Sequence, residues 1–170
     1  MRKTVLLLLS VCFLLSGCFD YKDLNKLSII TGIAFDKAEE GGVTVTLEIV
    51  DRSSSPKKDG LRTRTVAESG RDAEEAVKKL TRGLDFELYY GAMAVVIFGK
   101  DVPRKELETW VLSKREVRET AYIIYADDAG AKLHTDEEDG IAAYKLRDIL
   151  DASKGERPLE LYQIARRVDS

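Results

Sequence analysis

The chain has few of the side chains that bind transition metals or attack substrates through a thiol, with two cysteines and one histidine among its 170 residues. A structural zinc site uses four such ligands, and thiol catalysis needs an activated cysteine. Cys12 lies inside an N-terminal apolar segment, so Cys18 alone would remain after removal of that segment and could form no internal disulfide. We therefore predict a fold held by its hydrophobic core, with no metal site and no thiol chemistry.

Positive charge is not in excess either, since 27 basic residues stand against 30 acidic ones. Phosphate backbones are bound by basic surfaces, so we predict no nucleic-acid partner. Long apolar runs are also missing. The N-terminal run from Val5 to Leu15, interrupted only by Ser10, is shorter than the roughly 20 residues that span a bilayer.

That short run has the three parts of a bacterial lipoprotein signal. Arg2 and Lys3 form a basic head, the apolar run follows, and Leu15-Ser16-Gly17-Cys18 matches a lipobox. We expect residues 1–17 to be removed, Cys18 to carry a covalent diacylglycerol and residues 18–26 to form a tether. A plain secretory signal and an uncleaved anchor are the alternatives. Removal would leave residues 18–170, with 25 basic and 30 acidic side chains, and we predict one domain over 27–170.

Hydrophobic periodicity predicts the elements of that domain. The pattern predicts strands over residues 29–35 and 43–50, which form a hairpin around the turn Glu39-Glu40-Gly41-Gly42. Residues 62–68 are predicted to form a polar edge strand. Ser69 and Asp72 match a capping box before an amphipathic helix, residues 92–99 form an apolar central strand, and Pro103 begins another helix. A strand over 121–126 completes the order.

This order, β-β-β-α-β-α-β, predicts an α+β fold with a mixed, mainly antiparallel sheet and helices packed on one face. Short helices then follow, from Ile141 to Leu150 and from Leu159 to Val168. Because no strand closes this region, we expect the natural protein to continue beyond Ser170.

Three polar groups are candidate chemical sites, and the sequence around each of them favours a structural role. Asp136-Glu137-Glu138-Asp139-Gly140 lacks the carboxylate spacing of a calcium loop, so it reads as a solvated acidic loop. Asp127 and Asp128 at a strand end favour a capping or loop role, because adjacent strand residues point to opposite faces. His134 has no nucleophile in a recognisable motif, which favours an exposed loop histidine.

Two other groups are candidates for partner binding. Tyr89 and Tyr90 precede a glycine and combine large contact areas with hydroxyls that tolerate water, although either ring could belong to the core. Arg115 and Arg118 lie in a dense charge cluster before the strand at Ala121, where a solvated helix end is the alternative.

Several motifs, in this order, resemble the C-subunit lipoproteins of spore germinant receptors, the GerAC family. They are the lipobox with Phe19 and Asp20, then Thr31-Gly32-Ile33-Ala34-Phe35-Asp36, then Leu88-Tyr89-Tyr90-Gly91 before an apolar strand, and Arg115-Glu116-Val117-Arg118 before Thr120-Ala121-Tyr122. Phe19 stands where the family commonly has tryptophan. Ala92 stands where it has a polar residue. Family members are also longer, so the chain resembles their N-terminal domain.

The resemblance implies a non-enzymatic subunit without a cofactor, held by lipid on the outer face of the inner spore membrane. It would assemble with a multi-pass A subunit and a transporter-like B subunit. The alternative is a solute-binding lipoprotein that delivers a small ligand to a membrane transporter, although such proteins usually have two lobes around a cleft.

Overall fold

The sheet is built outward from a long hairpin at its centre. The computed structural model describes residues 27–51, 62–84, 87–114, 116–134, 140–153 and 158–168. Strands β1 and β2 pair antiparallel, with Phe35 opposite Val45, and two glycines with positive φ, Gly41 and Gly42, turn the chain between them. The strands are β1 (Leu27–Lys37), β2 (Val43–Asp51), β3 (Arg62–Gly70), β4 (Glu87–Tyr89), β5 (Val95–Phe98), β6 (Tyr122–Tyr125) and β7 (Leu159–Glu160).

The strand order is β3-β2-β1-β5-β6-β7, with β4 paired to the start of β1. Antiparallel pairing joins the long strands β1, β2 and β3, whereas the shorter β5 and β6 pair parallel to β1 and to each other. The predicted α+β class, the hairpin, the edge position of β3 and the buried strand β5 are confirmed. Strands β4 and β7 were not predicted, and Leu159, expected in a helix, lies in β7.

Four α-helices and one 3-10 helix complete the described elements. They are α1 (Ala73–Arg82), α2 (Arg104–Leu112), the 3-10 helix (Gly130–Leu133), α3 (Ala142–Ala152) and α4 (Leu161–Val168). None of the helices in the described ranges is long and apolar enough to cross a membrane.

Helix α1 begins three residues after the position that the capping box suggested. Ser69 lies in β3, and Asp72 is the N-cap residue, accepting a hydrogen bond from the Glu75 backbone N–H at 2.8 Å. Glu75 in turn accepts from the Arg71 backbone N–H at 3.1 Å. The sequence pattern was correct in kind but wrong in register, because the pairing of Ser69 with Thr44 extends β3.

Both faces of the sheet are covered by helices. The two helices of the predicted order, α1 and α2, pack with α4 on one face, around a core that includes Phe35, Leu47 and Phe98. The 3-10 helix and the start of α3 cover the other face, where Ala34, Val95 and Ile97 are buried. This second layer was not predicted, and it buries the side chains of Thr46 and Glu48 on β2.

Candidate functional site

A carboxylate without solvent contact lies beneath the second layer. Glu48, on β2, is 0% exposed and accepts four hydrogen bonds. Thr31 Oγ1 donates at 2.7 Å and Thr63 Oγ1 at 2.9 Å, while the backbone N–H groups of Ala142 and Ala143 donate at 2.6 and 3.0 Å. The last two begin α3, so Glu48 caps a helix that is 94 residues away in sequence.

Asp36 holds the 3-10 helix in the same way. Its two carboxylate oxygens accept from the backbone N–H groups of Ala129 at 2.9 Å and Gly130 at 2.7 Å. Neighbouring strands of the hairpin thus each supply one carboxylate that binds the start of a helical segment. These contacts fix the 3-10 helix and the start of α3 against the sheet, and within the described residues Glu48 has no lysine or arginine partner.

Gly32 lies between these two attachment points and allows the layer to approach closely. A Cβ there would lie 2.6 Å from Leu133 Cδ2 and 3.0 Å from Ala143 Cβ. Gly32 also pairs with Glu48 across the hairpin, so the missing side chain leaves room for α3 above the carboxylate. Thr31, Gly32 and Asp36 therefore act together on one structural task.

The opposite face carries a cluster around Trp110, on α2. Its ring packs edge-on against Phe35 and Tyr90, with centroids 5.9 and 6.4 Å away. The indole Nε1–H donates to Glu74 at 2.8 Å, and the Lys114 ammonium lies 4.1 Å from the ring centroid while donating to Glu74 at 3.1 Å. The hydrogen bond from Trp110, followed by that from Lys114, lowers the pKa of Glu74 below its usual value.

Comparison with known protein families gives a match over most of the chain. The model of the spore germination protein N-terminal domain matches residues 20–170, which is nearly the whole chain. The chain belongs to this family. No curated protein and no solved structure gave a significant match.

The candidate partner-binding tyrosines of this spore germination domain have different environments. Tyr90 is 9% exposed and packs beneath Trp110, and burial, followed by the negative charges of Glu74 and Glu116, raises the pKa of its hydroxyl. Tyr89 is half-buried in β4, and its ring lies over Gly91, where a Cβ would be 2.2 Å from the tyrosine oxygen. Tyr90 thus contributes to the core, and Tyr89 retains a partly exposed surface.

The candidate arginines lie next to the same cluster in sequence. Arg118 is exposed, and its carbonyl oxygen accepts from the Ala121 N–H at 3.0 Å as the chain enters β6. Glu116 is close enough to Tyr90 to act on its pKa, so the structure brings the charged segment and the buried tyrosine to one side of the domain. Arg115 and Cys18 lie outside the described residues.

The other polar candidates have structural roles or lie outside these ranges. Asp128 accepts from the Ala131 N–H at 3.4 Å, consistent with the predicted capping role. The exposed His134 contacts Thr65 Oγ1 through Nδ1 at 2.9 Å. Residues 135–139, the acidic loop, are outside the described residues. The described part of the chain holds no group of three His, Cys, Asp or Glu side chains arranged to bind a metal.

Sequence reasoning missed Glu48, although it had singled out the motif that contains Thr31, Gly32 and Asp36. Glu48 occupies a polar position in an alternating strand, the pattern that a solvent-exposed face would also produce. No local signal distinguishes the two cases. Gly32 and Asp36 share one face of β1, and a glycine and an aspartate in an otherwise apolar strand are the signal that could have indicated a covered polar face. The irregular pairing between Ile30 and Gly32, where Thr31 reaches the same carboxylate, gives no such signal.

Proposed function

We propose that the chain is a lipid-anchored, non-catalytic subunit of a nutrient germinant receptor complex that acts in spore germination. The observation that carries this proposal is the family match over residues 20–170, which begins two residues after the lipobox cysteine, Cys18. A diacylglycerol on Cys18 would hold the domain on the extracytoplasmic face of the membrane. Two acyl chains give stable attachment, and attachment raises the local concentration of the domain near membrane partners.

In this proposal the partners are the multi-pass A subunit and the transporter-like B subunit. The side of the domain near Trp110 is the proposed contact surface, with the exposed Arg118 on the segment that follows α2 and Tyr90 supporting the ring from below. Tyr89 and Arg115 are assigned to this surface from the sequence alone. Support comes from the half-buried Trp110 ring, since tryptophan, tyrosine and arginine are enriched among the residues that dominate protein interfaces. The Lys114 and Glu74 contacts already fix the orientation of that ring.

Replacement of Cys18 tests the anchor. Cys18→Ala should move the protein from the membrane fraction to the soluble fraction and reduce the germination response to nutrients, because the thiol that accepts the lipid is missing. Cys12→Ala is the matched control, since Cys12 lies in the segment that would be removed, and it should leave both properties unchanged. Full membrane retention of the Cys18→Ala protein would contradict the proposed anchor.

A further inference from the structure

A cleft of about 600 Å³ opens where two parallel strands end. Strands β5 and β6 run in the same direction, with Phe98 paired to Tyr125 at their last positions. The residues that follow each strand form the cleft wall, together with residues from α2 and the 3-10 helix. The carboxyl ends of parallel strands are the usual place for ligands in sheets of this kind, because loops diverge there. The polar and aromatic side chains that line it beyond Phe98 are Lys100, Arg104, Tyr125, Asp127, Asp128 and Lys132.

Three of these side chains are cationic, and they come from three separate elements. Lys100 follows β5, Arg104 begins α2 and Lys132 lies in the 3-10 helix. Within the described part of the chain, none of the three forms an ion pair, although Asp127 and Asp128 line the same cleft. The three cations exceed the two carboxylates, and their donors are not consumed by internal pairing.

The guanidinium of Arg104 is held in place by a stack of rings. Phe35 stacks on Phe98 with centroids 5.5 Å apart, and Phe98 stacks on Tyr125 at 6.1 Å. The Arg104 Cζ atom lies 4.1 Å from the centroid of the Tyr125 ring. A stacked guanidinium contacts the ring through its face, so the N–H donors in its plane remain available. The stack begins in the core and orients this one cation at the cleft.

The backbone at the start of α2 adds to the positive potential. No side chain caps this helix, because its N-cap residue is Pro103. The Arg104 N–H donates to the Val102 carbonyl oxygen at 2.8 Å, so the helix start contributes through its dipole, whose positive end lies at the residue that stacks on Tyr125. An oriented guanidinium, flanking ammonium groups and this dipole together form an arrangement that binds oxyanions.

We propose that this cleft binds a small anionic molecule through a carboxylate or phosphate group, with Arg104 as the principal contact and Lys100 and Lys132 beside it. Both groups present coplanar or adjacent oxygen atoms that accept two parallel N–H donors from one guanidinium. The cleft volume limits the ligand to a small molecule. This site is independent of the membrane anchor and of the Trp110 surface.

Isothermal titration of the full chain in detergent with inorganic phosphate, and separately with succinate, tests the proposal. We expect saturable binding of at least one probe that weakens as chloride is raised. Arg104→Gln should weaken it by about tenfold or more, because the bidentate contact is lost. Lys105→Gln is the matched control, since Lys105 is the next residue, is exposed and does not line the cleft. It should change the affinity by less than about twofold.

The two probes distinguish the ligand classes. Binding of phosphate alone assigns the site to phosphorylated molecules, and binding of succinate alone assigns it to carboxylates. Tyr125→Leu should keep the charge but loosen the guanidinium, and it should therefore weaken binding less than Arg104→Gln does. Absence of saturable binding by both probes up to about 20 mM, or equal losses in Arg104→Gln and Lys105→Gln, would overturn the proposal.

Discussion

Removal of the buried carboxylate of Glu48 is the sharpest test of how the second layer is attached. Glu48→Ala removes the acceptor of the Ala142 and Ala143 N–H groups and the closer acceptor of the Thr31 and Thr63 hydroxyls. The two hydroxyls keep a backbone carbonyl oxygen at 3.3 Å. A hydrogen bond to a charged group is worth about 1.5 to 3 kcal/mol, but four bonds to one carboxylate are not additive. We therefore expect the free energy of unfolding to fall by about 3 to 5 kcal/mol, since each buried donor left unsatisfied costs about 1 to 3 kcal/mol.

Glu48→Gln separates the loss of acceptors from the loss of volume. The amide keeps the shape of the side chain and one acceptor oxygen, but its NH2 group faces two of the same donors. We expect a loss of about 2 to 3 kcal/mol, smaller than that of the alanine variant. Glu68→Ala is the matched control, because Glu68 is a glutamate in a strand whose side chain is exposed, and it should cost less than about 0.5 kcal/mol.

Urea unfolding of the full chain, followed by the fluorescence of Trp110, measures these differences. Trp110 is the single tryptophan of the chain, and it lies on the opposite face of the sheet from the substitution, so it reports cooperative unfolding. Hydrogen exchange provides a local measurement, since the Ala142 and Ala143 amides should lose protection in both Glu48 variants. Equal stability losses for Glu48→Ala and Glu68→Ala would refute the reasoning.

Two further predictions concern the Trp110 side of the domain. Arg118→Glu should reduce copurification of the chain with the membrane subunits of the receptor, because it reverses a charge at the proposed contact surface. Arg64→Glu, on the edge strand β3, is the control and should not reduce it. Equal recovery of the subunits by both variants would argue against that surface. The hydrogen bonds from Trp110 and Lys114 lower the pKa of Glu74 in the folded protein. Their contribution to the free energy of unfolding is therefore present above the ordinary glutamate pKa of about 4.3. It is lost as the pH falls through the lower pKa of the folded state. A pH titration of Trp110 fluorescence should therefore show a transition below that ordinary value that disappears in Glu74→Gln, and a transition that persists in the variant would assign it to another group.

Local patterns were sufficient for most of the first layer. The apolar runs of β1 and β5 predicted buried strands, and the spacing of apolar residues from Ala73 to Leu84 predicted the buried face of α1. Ala73, Ala76, Val77 and Leu80 are buried in α1, whereas Leu84 follows the helix and packs partly buried against the same core. The burial of these elements can be recognised in their own sequence. A buried face requires apolar residues at the spacing of a helix or a strand. The start of α1 was misplaced because pairing between β2 and β3 decides whether Ser69 is strand or cap.

The candidate surface residues were harder to interpret for the same physical reason. Tyr89 and Tyr90 are adjacent and chemically identical, yet Tyr90 lies under Trp110 and Tyr89 covers Gly91. An isolated pair of tyrosines carries no information about which ring faces the core when the strand beside it is only three residues long. Packing of Tyr90 against Trp110, on α2, determines which of the two rings is buried.

The sequence by itself determined the order of the main elements and the family, because both depend on residues that are neighbours in the chain. Tertiary structure decided what covers the polar face of the hairpin. Glu48 looks like a solvent-facing strand residue until α3, 94 residues later, brings two backbone N–H groups to its carboxylate. A contact between residues so far apart produces no recognisable pattern in the sequence of β2 or of α3. Its donors are main-chain N–H groups, which every residue except proline carries.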